Sequence, residues 1–217
     1  MKKKEIIKRY ILFIVGLFFL AIGVALTRLA SLGMAPLTSI ANVLSIYFTR
    51  VTIGNWLIIL NCIFIAAQIL ILRKKFRLIQ LMQIPLSVFF GYFTDFGVWL
   101  VSSIPNNTYA MKFALLIVGM IVISFGVSLT VIADVILNSG EALVKAISDT
   151  LNKNFGNVKV FVDISYVLTT CILSLIMFGD KIIGIREGTL ISAVCMGLIV
   201  KFFCKRLTNP LTKILTK

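Results

Sequence analysis

Among its 217 residues the chain has no histidine. That excludes imidazole proton relays and histidine-ligated metal centres. Charge is scarce as well: 14% of the residues are charged, and only eight are acidic. A soluble domain needs a more heavily charged surface, so the water-soluble globular class is excluded. The four cysteines (Cys62, Cys171, Cys195, Cys204) stand singly in apolar runs, with no CxxC pair. They read as buried structural thiols rather than a disulfide or metal framework. Enzyme signatures are missing too: no phosphate-cradling Gly-rich loop with Lys, no HExxH, no GxSxG. The chain therefore reads as a non-enzyme with no cofactor and no metal.

What is there is hydrophobicity. Apolar residues make up 59% of the chain, and the mean hydropathy is +1.05. Long apolar runs fall at about 10–29, 56–72, 78–102, 113–133, 160–178 and 188–204. Most approach the roughly 20 residues that a helix needs to cross a hydrocarbon core. The first run lacks a small-x-small cleavage site and is expected to be a retained helix rather than a secretion signal. The fold expected is an all-α polytopic membrane protein with the lipid bilayer as its medium.

Two further segments, "PLTSIANVLSIYF" (36–48) and "EALVKAISDTL" (141–151), have helical patterns but are too short to cross. At about 1.5 Å per residue they cover only ~16–20 Å. The basic residues decide how to treat them. If neither segment crosses, there are six spans with both termini inside. Seventeen of the 22 Lys/Arg then lie on the inner side, leaving Arg28, Arg50, Lys112, Lys181 and Arg186 outside. If both cross, the run "RKKFR" (73–77) moves to the outer side, against the positive-inside rule. Six transmembrane helices plus two re-entrant or interfacial half-helices are expected. The net charge of +14 follows the ends of the apolar runs, so no nucleic acid is expected as a partner.

The chain also repeats itself. "GLFFLAIGVALT" (16–27) matches "GMIVISFGVSLT" (119–130) at an offset of 103, through Gly16/Gly119, Gly23/Gly126 and Thr27/Thr130. The same offset pairs Thr38 with Glu141, Asn42 with Lys145 and Ser45 with Ser148. At an offset of 102, "IGNWLIILN" (53–61) meets "FGNVKVFVD" (155–163). A weaker match relates "GYFTDF" (91–96) to "GLIVKF" (197–202). The expected organisation is one membrane domain, repeat 1 at about 10–102 and repeat 2 at about 113–205, with short basic cytoplasmic tails. Three spans per repeat make the second copy inverted, an architecture that recurs in secondary transporters.

"LGMAPLTSIANVLSIYFTRVTIGNWLIILN" resembles the first repeat of the YczE/YyaS/YitT-type bacterial membrane proteins, and "GVSLTVIADVILNSGEALVKAISDTLNKNFGNVKVFVD" looks like the second. The chain looks closer to the short YczE-like branch than to the longer YitT-like members, and no soluble C-terminal domain is expected after the sixth span. The resemblance implies this fold and a bacterial cytoplasmic membrane location. It implies no catalytic residues, because the activity of that family is poorly defined.

The polar residues inside the spans point to a site. Lys159, Asp163, Tyr166, Thr170 and Ser174 follow helical spacing along one face, and Asn61, Phe64 and Gln68 occupy the equivalent face of the earlier repeat. Asp163 has two readings: a cavity group, or a local pair with Lys159 one turn away. Glu141, Lys145 and Asp149 form a stripe on the second short helix, as Thr38 and Asn42 do on the first. That stripe reads either as a solvated face or as the polar side of a shared centre. Helix N-termini carry partial positive charge, which suits an anionic substrate group. Arg28, at the outer end of the first helix, reads as a snorkelling residue or as an anion contact.

The expected ligand residues are thus Asn61, Gln68, Asp163, Tyr166, Thr170, Thr38, Asn42, Glu141, Lys145 and Arg28. The function expected is a small-molecule or ion permease with its site at the repeat interface. The alternatives are a substrate-capturing subunit of a larger uptake system, or an accessory membrane protein. A homo-oligomer or a partner subunit is compatible with each.

Overall fold

Long apolar runs become long helices. The computed structural model describes residues 3–179 and 182–216, and no strand occurs among them. The helices are α1 (Lys3–Ala30), α2 (Pro36–Tyr47), α3 (Ile53–Leu72), α4 (Gln83–Val101), α5 (Tyr109–Ala133), α6 (Ser139–Leu151), α7 (Phe155–Phe178) and α8 (Glu187–Thr216). Six helical stretches are long and apolar enough to cross a membrane: Lys4–Ala30, Ile53–Lys75, Leu78–Val101, Tyr109–Ala133, Phe155–Phe178 and Glu187–Leu215. The two short helices α2 and α6 fall where the sequence places its half-helices. Lys2, Lys181 and Lys217, which enter the charge count above, lie outside the described residues.

Local signals start the helices. Pro36 opens α2, where its missing N–H costs nothing. Thr52 and Thr108 cap α3 and α5 by accepting from Asn55 N and Met111 N at 3.2 and 3.3 Å. At both chain ends the helices run further than the apolar periodicity. Glu5 pairs with Arg9 one turn on, at 3.1 Å, and the Lys8 Nζ donates to Ile214 O at 3.1 Å. The segments expected as basic tails are therefore largely helical extensions.

Contacts divide the chain into two units, and each draws helices from both halves of the sequence. The first contains 1–34, 93–135 and 186–217. Its spine is the crossing of α1 and α5. A Cβ at Gly16 would lie 2.9 Å from Gly126 O, and one at Gly23 would lie 2.9 Å from Gly119 O. Rising numbers in α1 meet falling numbers in α5, so the two helices are antiparallel. Small residues let the backbones approach this closely.

Two further crossings in this unit run parallel. A Cβ at Gly97 would lie 3.1 Å from Ala25 Cβ, and Phe18 packs on Phe93 at 5.5 Å, so α1 runs with α4. The Ser128 Oγ donates to Val200 O at 3.3 Å, and Tyr109 Oη to Glu187 Oε1 at 3.4 Å, so α5 runs with α8. These directions decide the span count. Antiparallel α1 and α5 need two crossings between them, which α3 and α4 supply; a third, by α2, would make them parallel. Parallel α5 and α8 likewise leave α6 uncrossed.

The contacts Ala25–Gly97 and Ser128–Val200 share the offset of 103. These two contacts are thus spaced as the matching segments of α1 and α5 are in the sequence. The weaker residue match of 91–96 with 197–202 is three residues out of that register.

The second unit contains 35–92 and 136–185. Here α2 packs chiefly on α7 and α6 chiefly on α3, so each short helix leans on the long helix of the other half. Residues 38–43 of α2 are all buried, which places every side of the helix against protein. A non-spanning helix at membrane depth is stable only with such cover. α6 keeps one polar side, with Lys145 and Asp149 exposed. Within the same unit α3 and α4 form an antiparallel hairpin, with Gln83 beside Gln68 and Gly91 against Ile58.

The cysteines correct one expectation. All four are free, but Cys62 is exposed and the other three are half-buried. In a membrane-spanning chain an apolar surface faces lipid, so a small weakly polar thiol is tolerated outside the core as well as within it.

Candidate functional site

The polar residues of the second unit gather on the faces that α3 and α7 turn inward. Asn61, Phe64 and Gln68 are buried on α3, as are Tyr166, Thr170 and Ser174 on α7. The one-turn spacing read from the sequence therefore produces two buried stripes. Phe64 and Tyr166, counterparts under the offset of 102, pack ring to ring with centroids 5.5 Å apart.

The short helices contribute their first turns. Ser139 opens α6, and its hydroxyl donates to Asn61 Oδ1. The Gln68 amide donates to Ser139 O at 3.1 Å. In the other half, the hydroxyls of Ser39 on α2 and Thr170 on α7 lie 3.0 Å apart. Gln68 and Thr170 are sequence counterparts, and each binds the first turns of the opposite short helix. Those first turns also meet one another: a Cβ at Gly140 would lie 2.6 Å from Leu37 Cδ1. Leu37 and Gly140 are counterparts too, under the offset of 103.

Three polar atoms of this core have no hydrogen-bond partner among the described residues: Asn42 Oδ1, Asn61 Nδ2 and Tyr166 Oη. Their residues are 8%, 2% and 8% exposed. A buried polar atom left unpaired costs about 1–3 kcal/mol, so three in one core is a sizeable penalty. They offer one acceptor, one amide donor and one hydroxyl to a polar guest.

The ionisable residues sit at one edge of this core. The Lys159 Nζ is 2.6 Å from Asp163 Oδ1, so the local pair is formed. Both side chains stay partly exposed, which limits its stabilising effect to about 0.3–0.5 kcal/mol. Glu141 is half-buried in the first turn of α6 and makes no hydrogen bond or ion pair among the described residues. Burial pushes its carboxyl above the ordinary range, Lys159 pulls it back, and Asp163 raises it further. α6 lies outside the six spans, but its Glu141 faces the charges of α7.

Three expected residues do not join this core as expected. Lys145 is exposed, so the stripe Glu141–Lys145–Asp149 divides: Glu141 turns to α7 while the other two face outward. Thr38 is buried, yet its hydroxyl donates to Ala35 O at 2.9 Å and so closes the start of its own helix. Arg28 belongs to the first unit. It lies near Asp95, whose charge attracts it. It also lines a cleft of about 290 Å³ with Ser31, Ser102 and Asn106 over Ala25 and Val101. Sequence reasoning missed Ser39, Gln83 and Ser139. Gln83 and Gln68 exchange reciprocal amide hydrogen bonds at 3.2 Å in a buried pair. The signal was an amide just before the apolar run of α4, one hairpin away from Gln68.

The sequence pattern of a family of unknown function, DUF6198, matches residues 7–205. The chain belongs to this family. A curated relative is the uncharacterized membrane protein YczE of Bacillus subtilis (strain 168). That protein is 26% identical over 203 residues, covering 92% of this chain and 87% of its own. The resemblance to YczE read from the repeats is thus matched along most of the chain. No solved structure matches.

Proposed function

We propose that this member of DUF6198 is a small-molecule or ion permease of the bacterial cytoplasmic membrane. It has two inverted repeats, both termini cytoplasmic, and a site where the repeats meet in the second unit; it carries out no covalent chemistry. The observation that carries this reading is the buried core of the second unit, with unpaired Asn42, Asn61 and Tyr166. Two contacts between counterparts support the inverted arrangement, Leu37 with Gly140 and Phe64 with Tyr166. A residue that touches its own counterpart lies on a local two-fold axis. The antiparallel crossing of α1 and α5, counterparts of each other, supports it as well. Inverted-repeat transporters place short helix starts and polar side chains at such an axis.

The test is solute entry. Liposomes with the purified protein are shrunk in hyperosmotic urea, glycerol, formate, lactate or methylammonium, and re-swelling is followed by light scattering. At least one solute should re-swell protein liposomes faster than empty ones, with the gain lost in Asn61→Ala. Identical rates for every solute would contradict the permease.

A further inference from the structure

Glu141 occupies the third position of α6, where a carboxylate ordinarily folds back onto the start of its own helix. Here it does not. The helix is capped by Asn138, whose side chain accepts from Ser139 N at 2.9 Å. Glu141 instead lies within electrostatic reach of Lys159 and Asp163 on α7. Two residues earlier, Ser139 holds Asn61 Oδ1. The amide of Asn61 therefore lies at the start of α6 with its Nδ2 donor unpaired and its side chain 2% exposed.

At the start of α2 the Leu37 side chain reaches Gly140, the second residue of α6. The α2 helix begins at Pro36, and its N-cap residue, Ala35, has no capping side chain. The N-terminus of α6 thus lies beside a buried amide donor, with a side chain from the uncapped start of α2 packed against it. A helix N-terminus carries partial positive charge and favours a negative group. A carboxylate suits this site, because it accepts both from an amide such as that of Asn61 and from backbone N–H groups at a helix start.

One feature opposes it: the negative charge of Glu141 in the same turn. Neutralisation removes the opposition. The charges facing Glu141 come from α7, where Lys159 is already paired with Asp163 at 2.6 Å and Tyr166 is neutral. On α3 the facing groups, Asn61 and Gln68, are uncharged, and on α6 itself Lys145 and Asp149 point outward.

We propose that the start of α6, beside Asn61, binds the carboxylate of a small organic anion, and that Glu141 takes up one proton with it. The proton comes from solvent and adds to a Glu141 oxygen; no other bond changes. This deepens the permease reading and rests on it for the place of binding in a transport cycle, but its test reads binding alone.

The experiment is thermal unfolding of the full-length protein in detergent, at constant ionic strength in sodium chloride. The probes are sodium formate, sodium lactate, acetamide and methylammonium. They are compared between about pH 6 and 9, where both carboxylates stay ionised. Formate or lactate should raise the melting temperature, more at the acid end, while acetamide and methylammonium do not. Asn61→Ala and Asn61→Asp should each lose the effect. Glu141→Gln, a neutral mimic, should keep it and lose its pH dependence. The inference is overturned if no carboxylate stabilises, if acetamide does so equally, if both Asn61 variants respond like wild type, or if the effect in Glu141→Gln still falls with pH. Carboxylate binding without solute entry in liposomes would leave this inference standing and overturn the permease.

Discussion

Tyr166 packs its ring on Phe64 at 5.5 Å, yet its buried hydroxyl has no partner among the described residues. Phenylalanine would keep the ring contact and remove the unpaired oxygen. Tyr166→Phe should therefore leave the ligand-free protein as stable as wild type, or more stable by up to about 1 kcal/mol. Reversible unfolding in mixed micelles measures this. If the hydroxyl serves a guest, the same variant should re-swell liposomes more slowly, since function is what retains a destabilising group. A large loss of stability would show the hydroxyl to be structural.

Gln68 and Gln83 are a second relationship that unfolding can test. Each amide both donates and accepts across the α3–α4 hairpin. Replacing either by leucine takes the reciprocal partner from the other and should cost about 1–2 kcal/mol. The double variant should cost less than the two singles added, because it leaves no orphan from the reciprocal bonds. Simple additivity would contradict the pairing.

The α1–α5 crossing predicts a sharp contrast between two glycines. A Cβ at Gly126 would lie 2.5 Å from Leu20 N, which is backbone and cannot swing away. Gly126→Ala should destabilise by about 1–3 kcal/mol. Gly197, on α8, has nothing within 4 Å of the same position, so Gly197→Ala should be neutral within about 0.5 kcal/mol.

The raised carboxyl of Glu141 gives a pH dependence whose sign is fixed. The ordinary value is 4.5, and burial is the first cause of the upward shift. Below the ordinary value the group is neutral in both folded and unfolded chains and imposes no penalty. As pH rises from there through the folded value, the unfolded chain ionises first and stability is lost. Glu141→Gln should be more stable than wild type at pH 8, with the difference vanishing near pH 4. Unfolding at both pH values checks it, and the opposite order would contradict the burial of Glu141.

The span pattern was legible because apolar length and basic-residue asymmetry are summed over many residues. The short helices were legible for the same reason: a pattern of 11 to 13 residues cannot cross, whatever it packs on. The site was legible as faces rather than as contacts. Helical spacing put Asn61 with Gln68 and Tyr166 with Thr170, but spacing cannot say what stands opposite. Ser139 and Ser39 were missed because a serine at a helix start ordinarily serves only the helix. Asp163 carried two readings because Lys159 follows the same spacing, and the structure forms that pair. Lys145 was grouped with Glu141 by period, but a long side chain at a helix edge turns outward while its shorter neighbour faces α7.

A permease site in the core around Phe64 and Tyr166 must open in turn to both sides of the membrane. Labelling of Phe64→Cys tests it most directly. Cys62, Cys171, Cys195 and Cys204 are replaced by serine, and a membrane-impermeant thiol reagent is applied to right-side-out or inside-out vesicles. The account predicts labelling of Cys at this position from either side, slowed by whichever solute re-swells the liposomes. Labelling from neither side, or from one side only, would contradict it.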